Sequence, residues 1–114
     1  MHELGLCESI LDAVERRAAG RRVTGVRVRV GALHAVVEPA LDAAFALVAE
    51  GSVADGAAVD LVVVPVVVRC AACGASTESP ELVPACPRCG ATRIDVTGGD
   101  DLVLESISLA REGS

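Results

Sequence analysis

The sequence predicts an α+β fold: two helices on a three-stranded sheet, with an inserted zinc-ribbon-like module of two Cys-x-x-Cys knuckles. Three observations carry that expectation. Apolar residues recur at helical spacing in two segments. Valines alternate with polar residues in the segment between them. The paired cysteines then fall between the last two strand-like runs, so the module reads as an insertion rather than a tail. The core has to come from Val, Leu, Ile and Ala, because 52% of the chain is hydrophobic while Phe45 is its single aromatic residue.

The first helix is expected over residues 4–19. Leu4, Cys7, Leu11, Val14 and Ala18 recur at three- and four-residue steps with Ile10 beside them, while Glu8, Asp12, Glu15 and Arg16 take the other face. Gly20 stops it. Val26, Val28 and Val30 alternate with Arg27, Arg29 and Gly31, the pattern of a strand with one wet face. Glu38-Pro39 opens the second helix, with proline suited to the first turn; Leu41, Ala44, Phe45 and Val48 form its apolar stripe, and Gly51 ends it. After the Ala54-Asp55-Gly56 turn, Val59 to Val68 reads as a second strand. Pro65 cannot donate to a ladder and marks an edge or a bulge there. Residues 101–110 return as the third strand, in which apolar parity slips between Leu102/Leu104 and Ile107/Leu109; a bulge near Glu105–Ser106 accounts for the slip.

Between these strands stand Cys70-x2-Cys73, a spacer of 12 residues, and Cys86-x2-Cys89, with Gly74 and Gly90 after each pair. A Cys-x-x-Cys turn sets two sulfurs on adjacent corners of a tetrahedron around an ion bonded at about 2.3 Å. The glycines let the backbone fold its amides toward the sulfurs. Two such knuckles point to a closed, structural zinc tetrathiolate. Paired disulfides or free thiols are the alternatives, as is a rubredoxin-like iron centre, which the short spacer and lack of aromatics disfavour. Residues 69–95 hold only scattered apolar side chains (Leu82, Val83, Ile94), so metal binding is expected to supply their folding energy.

Charge narrows the function. The net charge is −6 and the ten basic residues are all arginine, which argues against a nucleic-acid interface. No run approaches the ~20 apolar residues of a membrane-spanning helix, and the start of the chain does not resemble a signal peptide. Metal-type cysteines without an export signal suit a reducing cytoplasm. Paired catalytic carboxylates, a Ser/His/Asp set and a phosphate loop are missing, so no enzyme is expected. His34 reads as a surface histidine, although it follows the first strand where it could approach the amino terminus; Cys7 reads as a buried inert thiol.

His2 places an imidazole beside the terminal amine. That amine, the imidazole and the intervening backbone nitrogen form fused chelate rings that favour square-planar Ni(II) or Cu(II). Taken alone this is a weak feature, and an exposed histidine without ligand role is the alternative. A second reading of the whole chain is a zinc-ribbon interaction module, and a third is a thiol sensor using the Cys-x-x-Cys pairs.

The segments Met1-His2-Glu3-Leu4, Leu6-Cys7-Glu8-Ser9-Ile10-Leu11, Gly31-Ala32-Leu33, Val37-Glu38-Pro39-Ala40-Leu41 and Cys86-Pro87-Arg88-Cys89-Gly90, followed by Leu104-Glu105-Ser106-Ile107, resemble the nickel metallochaperones of hydrogenase maturation, the HypA/HybF family. The resemblance runs through nearly the whole chain in order. It implies nickel as transported cargo on Met1, His2 and Glu3, and structural zinc on Cys70, Cys73, Cys86 and Cys89. It assigns nickel to a domain of residues 1–68 plus 98–114 and zinc to residues 69–97. It implies delivery to the large subunit of [NiFe]-hydrogenase alongside a GTPase of the same pathway, with urease maturation proteins as further partners; a homodimer is compatible with it. Gly5 and His34-Ala35-Val36 depart from the family's usual residues without touching a ligand.

Overall fold

The structure, a computed structural model, describes residues 2–111, His2 by its backbone alone. Helix α1 spans His2–Ala18. Its buried line is Cys7, Ile10, Val14 and Ala18, each 4% exposed or less, while Leu4 and Leu11 flank it half-buried. On the wet side Arg16 pairs with Asp12 one turn back at 2.8 Å, an exposed pair that contributes a few tenths of a kcal/mol at most, roughly. Ala19 and Gly20 end the helix with positive φ, 51° and 87°. The Ala19 side chain is strained in that left-handed conformation, and Ala19→Gly is expected to raise stability by about 1 kcal/mol, read from urea unfolding followed at 222 nm.

Helix α2 spans Glu38–Val48, with Pro39 in its first turn and no side-chain cap. Leu41, Ala44 and Phe45 are buried, and Ala49 closes the same face. The two helices meet where the buried Cys7 thiol donates to the Leu41 carbonyl, 3.6 Å away. The loop after α2 folds back on itself through Gly51, whose amide donates to the Asp55 carboxylate at 3.0 Å, and Ser52, whose hydroxyl donates to the Ala49 carbonyl at 2.6 Å.

Strands β1 (Val23–Gly31), β2 (Ala58–Val64) and β6 (Leu102–Leu109) form the expected three-stranded sheet, in the order β2-β1-β6. On β1 the valines at 23, 26, 28 and 30 are buried and the arginines at 27 and 29 face water. Arg27 bridges Asp60 at 3.6 Å and Glu105 at 3.4 Å, and Arg29 reaches Glu105 at 3.1 Å. The anticipated parity slip is present on β6: Glu105 and Ser106 are both exposed between Leu104 and Ile107. A matching slip lies on β1 at Thr24–Gly25. Ala110 donates to Arg22 and Gly31 to Asp101, so equal lengths of the two strands separate these ties and the two slips cancel.

The Val59–Val68 run is not one strand. Pro65 divides it, and Val66–Cys70 becomes β3 of a second sheet with β4 (Ser76–Ser79) and β5 (Ile94–Thr97), ordered β4-β3-β5. Both pairings are antiparallel, Val66 opposite Ser79 and Cys70 opposite Ile94. A residue without an N–H cannot sit inside a ladder, so the chain changes sheet where it stands.

By packing, the chain forms two compact units: residues 1–29, 36–62 and 103–114, and residues 30–35 and 63–102. The second has its own small core of Ala32, Val66 and Val68, with Val83, Ile94 and Val96 packed against it. No helix among the described residues is long and apolar enough to cross a membrane.

Candidate metal centre

The sulfur site is built by a repeated backbone device. In the first knuckle the Cys70 amide donates to the Ala75 carbonyl at 3.0 Å, and Gly74 donates to the Cys70 carbonyl at 2.9 Å. In the second, Cys86 donates to Ala91 at 2.8 Å and Gly90 to the Cys86 carbonyl at 2.9 Å. Both turns need a left-handed residue, supplied by Gly74 at φ +74° and Gly90 at φ +79°. The turns tilt amides onto sulfur: Cys73 N–H to Cys70 Sγ and Arg88 N–H to Cys86 Sγ, each at 3.4 Å. Strand β3 delivers Cys70 at its last position, and the bond from Ala71 to the Arg93 carbonyl, 2.9 Å, ties the first knuckle to the segment entering β5.

The four sulfurs of Cys70, Cys73, Cys86 and Cys89 lie within 4.8 Å of one another. Cys70 and Cys89 approach to 3.6 Å, Cys73 and Cys86 to 3.8 Å. A tetrahedron of sulfurs about 2.3 Å from a central ion has edges of about 3.8 Å. The cluster therefore suits a single thiophilic divalent cation. All five cysteines are free thiols in this structure, and the four of the knuckles converge on one point rather than standing as two separate pairs. Cys70 and Cys86 are buried, and Cys73 and Cys89 are exposed.

Electrostatics agree with a cation site. The amides of Cys89 and Arg88 pull the Cys86 thiol down to about 6 against the opposing effect of burial. The Cys73 amide likewise lowers Cys70. Cys89 moves the other way, up to about 12: the Ala91 amide favours its thiolate, but Cys70, burial and the remaining two thiols outweigh it. Four clustered thiols cannot all ionise alone, so protons stay among them until a cation replaces those protons.

Of the amino-terminal candidates, Met1 and the His2 side chain lie outside the described residues. Glu3 occupies the first turn of α1, half-buried. Cys7 is fully buried and its thiol is pushed up to about 11, by burial first and then by the charges of Glu3 and Asp42, which makes it a poor nucleophile. His34 is half-buried in a 3₁₀ turn, Ala32–His34, with its Nε2 3.0 Å from the Asp100 carbonyl. That contact joins residues far apart in sequence, and nothing in the local pattern announces it.

The family model described as hydrogenase/urease nickel incorporation, metallochaperone, HypA, matches residues 1–109. The hydrogenase maturation factor HypA of Rhodobacter capsulatus is 38% identical over 112 residues, covering 96% of this chain and 99% of the relative. The factor of the same name from Thermomicrobium roseum is 34% identical over 130 residues, covering 97% and 99%. Among solved structures, the solution structure of the Ni metallochaperone HypA from Helicobacter pylori superposes with a TM-score of 0.62 at 23% identity, over 96% of this chain and 98% of that one. At that identity the likeness speaks for the fold.

Proposed function

Because the chain belongs to the HypA family of hydrogenase/urease nickel-incorporation metallochaperones, we propose that it binds Ni(II) at its amino terminus and delivers it for maturation of [NiFe]-hydrogenase. The ligands in this proposal are the Met1 amine, the His2 imidazole and the backbone nitrogens of His2 and Glu3, with the Glu3 carboxylate close at hand. Zn(II) on Cys70, Cys73, Cys86 and Cys89 is proposed as the resident structural ion, since it takes four thiolates in a closed tetrahedron. The proposed division of labour gives nickel to residues 1–68 plus 98–114 and zinc to residues 69–97. The hydrogenase large subunit and the pathway's GTPase are the proposed partners, with urease maturation proteins beside them.

One observation supports the nickel reading most directly. Helix α1 begins at His2. The first N–H groups of a helix have no carbonyl four residues back to bond. The backbone nitrogen of His2 thus stands at the open end of the helix ladder, where a metal can approach it. A site of amine, imidazole and amide nitrogens at a chain end is shallow, so a partner offering better ligands can take the ion.

Each of those nitrogens must lose a proton, so affinity should fall on acidification. Nickel titrated into zinc-loaded, untagged protein is expected to bind one per chain at pH 8 and far less at pH 6, counted by elemental mass spectrometry. His2→Ala should lose nickel and keep zinc. Equal nickel binding by both proteins, or equal affinity at the two pH values, would remove this ligand set.

A further inference from the structure

The turn at Gly31–Ala35 is hydrogen-bonded to the segment that leaves β5. Gly31 donates to the Asp101 carbonyl at 2.8 Å and Leu33 to the Gly99 carbonyl at 2.8 Å. Two glycines make this approach feasible. A Cβ on Gly31 would stand 1.9 Å from the Gly99 oxygen, and a Cβ on Gly99 would stand 2.5 Å from Val66 Cγ1. Gly98 and Gly99 both adopt positive φ, 73° and 74°, so the chain leaving β5 doubles back under the turn. Ala32 of the turn completes the core made by Val66 and Val68 of β3 with Ile94 and Val96 of β5.

His34 is the polar end of this arrangement. Its Nε2 faces a backbone carbonyl, that of Asp100, at 3.0 Å. A carbonyl only accepts, so the ring must donate, and neutral His34 is the Nε2–H tautomer with Nδ1 as the acceptor nitrogen. The same β3 and β5 end at the sulfur site, Cys70 standing opposite Ile94. Only Ile94 and Val96 of β5 pack on Val66 and Val68 of β3, so an ion that ties Cys70 to the second knuckle would add substantially to the hold on that pairing.

We propose that occupancy of the four-sulfur site determines whether the Gly31–Ala35 turn is held, and with it the tautomer in which His34 is presented. The turn lies some 40 residues before the first ligand in sequence, roughly, yet it is an outlying part of the metal module. The inference rests on a metal ion occupying the sulfur site.

Amide hydrogen exchange and ring nitrogen shifts of ¹⁵N-labelled protein test it, comparing zinc-loaded protein with the same sample stripped by a chelator under reducing conditions. Zinc is counted in both samples. Removal is expected to cut protection at the Gly31 and Leu33 amides about 100-fold while Val14 in α1 keeps its own. The His34 ring should pass from one tautomer to a mixture; His2→Ala assigns its signals. Unchanged protection at Gly31 and Leu33 while Val68 loses its own would overturn the coupling and leave the metal site standing. Simultaneous loss at Val14 would overturn it too, as global unfolding. Zinc absent at one per chain would overturn the site and the coupling together.

Discussion

Replacing Cys70 by Ala is expected to dissolve the β4-β3-β5 sheet while leaving most of the helical signal of α1 and α2. Cys70 stands at the junction of three constraints. It is the last residue of β3, it pairs with Ile94 of β5, and its sulfur accepts from the Cys73 amide. Structural zinc in small modules supplies on the order of 10 kcal/mol of folding energy, far more than the few valines and isoleucine of this core can replace. Circular dichroism should keep its 222 nm band while the strand signal falls, and elemental analysis should find zinc lost. A complete collapse of both signals would mean that the two units do not fold apart. Acid should reproduce the effect on the unaltered chain. Cys86, depressed to about 6, favours the ionised, metal-ready site above the ordinary thiol range and forfeits that as pH falls through about 6. Cys89, raised to about 12, acts in the opposite sense until a cation displaces its proton. Protons and the cation compete for the same sulfurs, so zinc release to a chromophoric chelator should increase as the pH is lowered.

Phe45→Ala is expected to cost about 3–5 kcal/mol. Phe45 is 2% exposed and the only aromatic side chain available to the core. Its neighbours on α2, Leu41 and Ala44, are buried as well, so no surface side chain can swing in to fill the void. A domain of this size has stability of about 5–10 kcal/mol, and the variant should unfold near physiological temperature. Urea unfolding of α1 and α2 by circular dichroism measures the loss. A change below about 1 kcal/mol would show that the site relaxes around the cavity, contrary to close packing. Phe45→Leu, which keeps most of the volume, should recover more than half of it.

Both helices, the first strand and the sulfur ligands are legible in the sequence, because each rests on local periodicity or spacing. Cys7, Ile10, Val14 and Ala18 repeat at the helical period, and Val26, Val28 and Val30 alternate, so the buried faces follow directly. The second sheet is not legible. Val59–Val68 is apolar almost throughout, and a run without alternation hides which sheet each half joins; Pro65 alone marks the change. Ser76–Ser79 and Ile94–Thr97 are short and largely polar, and they are strands because β3 offers them a ladder, not through any pattern of their own. The knuckle spacing points to the four cysteines that the fold brings together, whereas the anchoring of His34 depends on a backbone approach between Gly31 and Gly99 that no local rule contains.

The pairing of sulfurs across the knuckles has a consequence for how the chain responds to oxidants. Cys70 lies 3.6 Å from Cys89 and Cys73 3.8 Å from Cys86. A metal-free chain exposed to air has these sulfurs close enough to oxidise in pairs, and cross-knuckle closure would give two nested covalent loops, the inner joining Cys73 to Cys86 and the outer Cys70 to Cys89. Each such link restrains the unfolded chain by roughly 3 kcal/mol. The oxidised, ion-free protein would then keep the outline of the module, and strand content would cease to report on metal content. A carrier stored without reductant can look intact by shape while having lost the ion that its thiolates are arranged to hold.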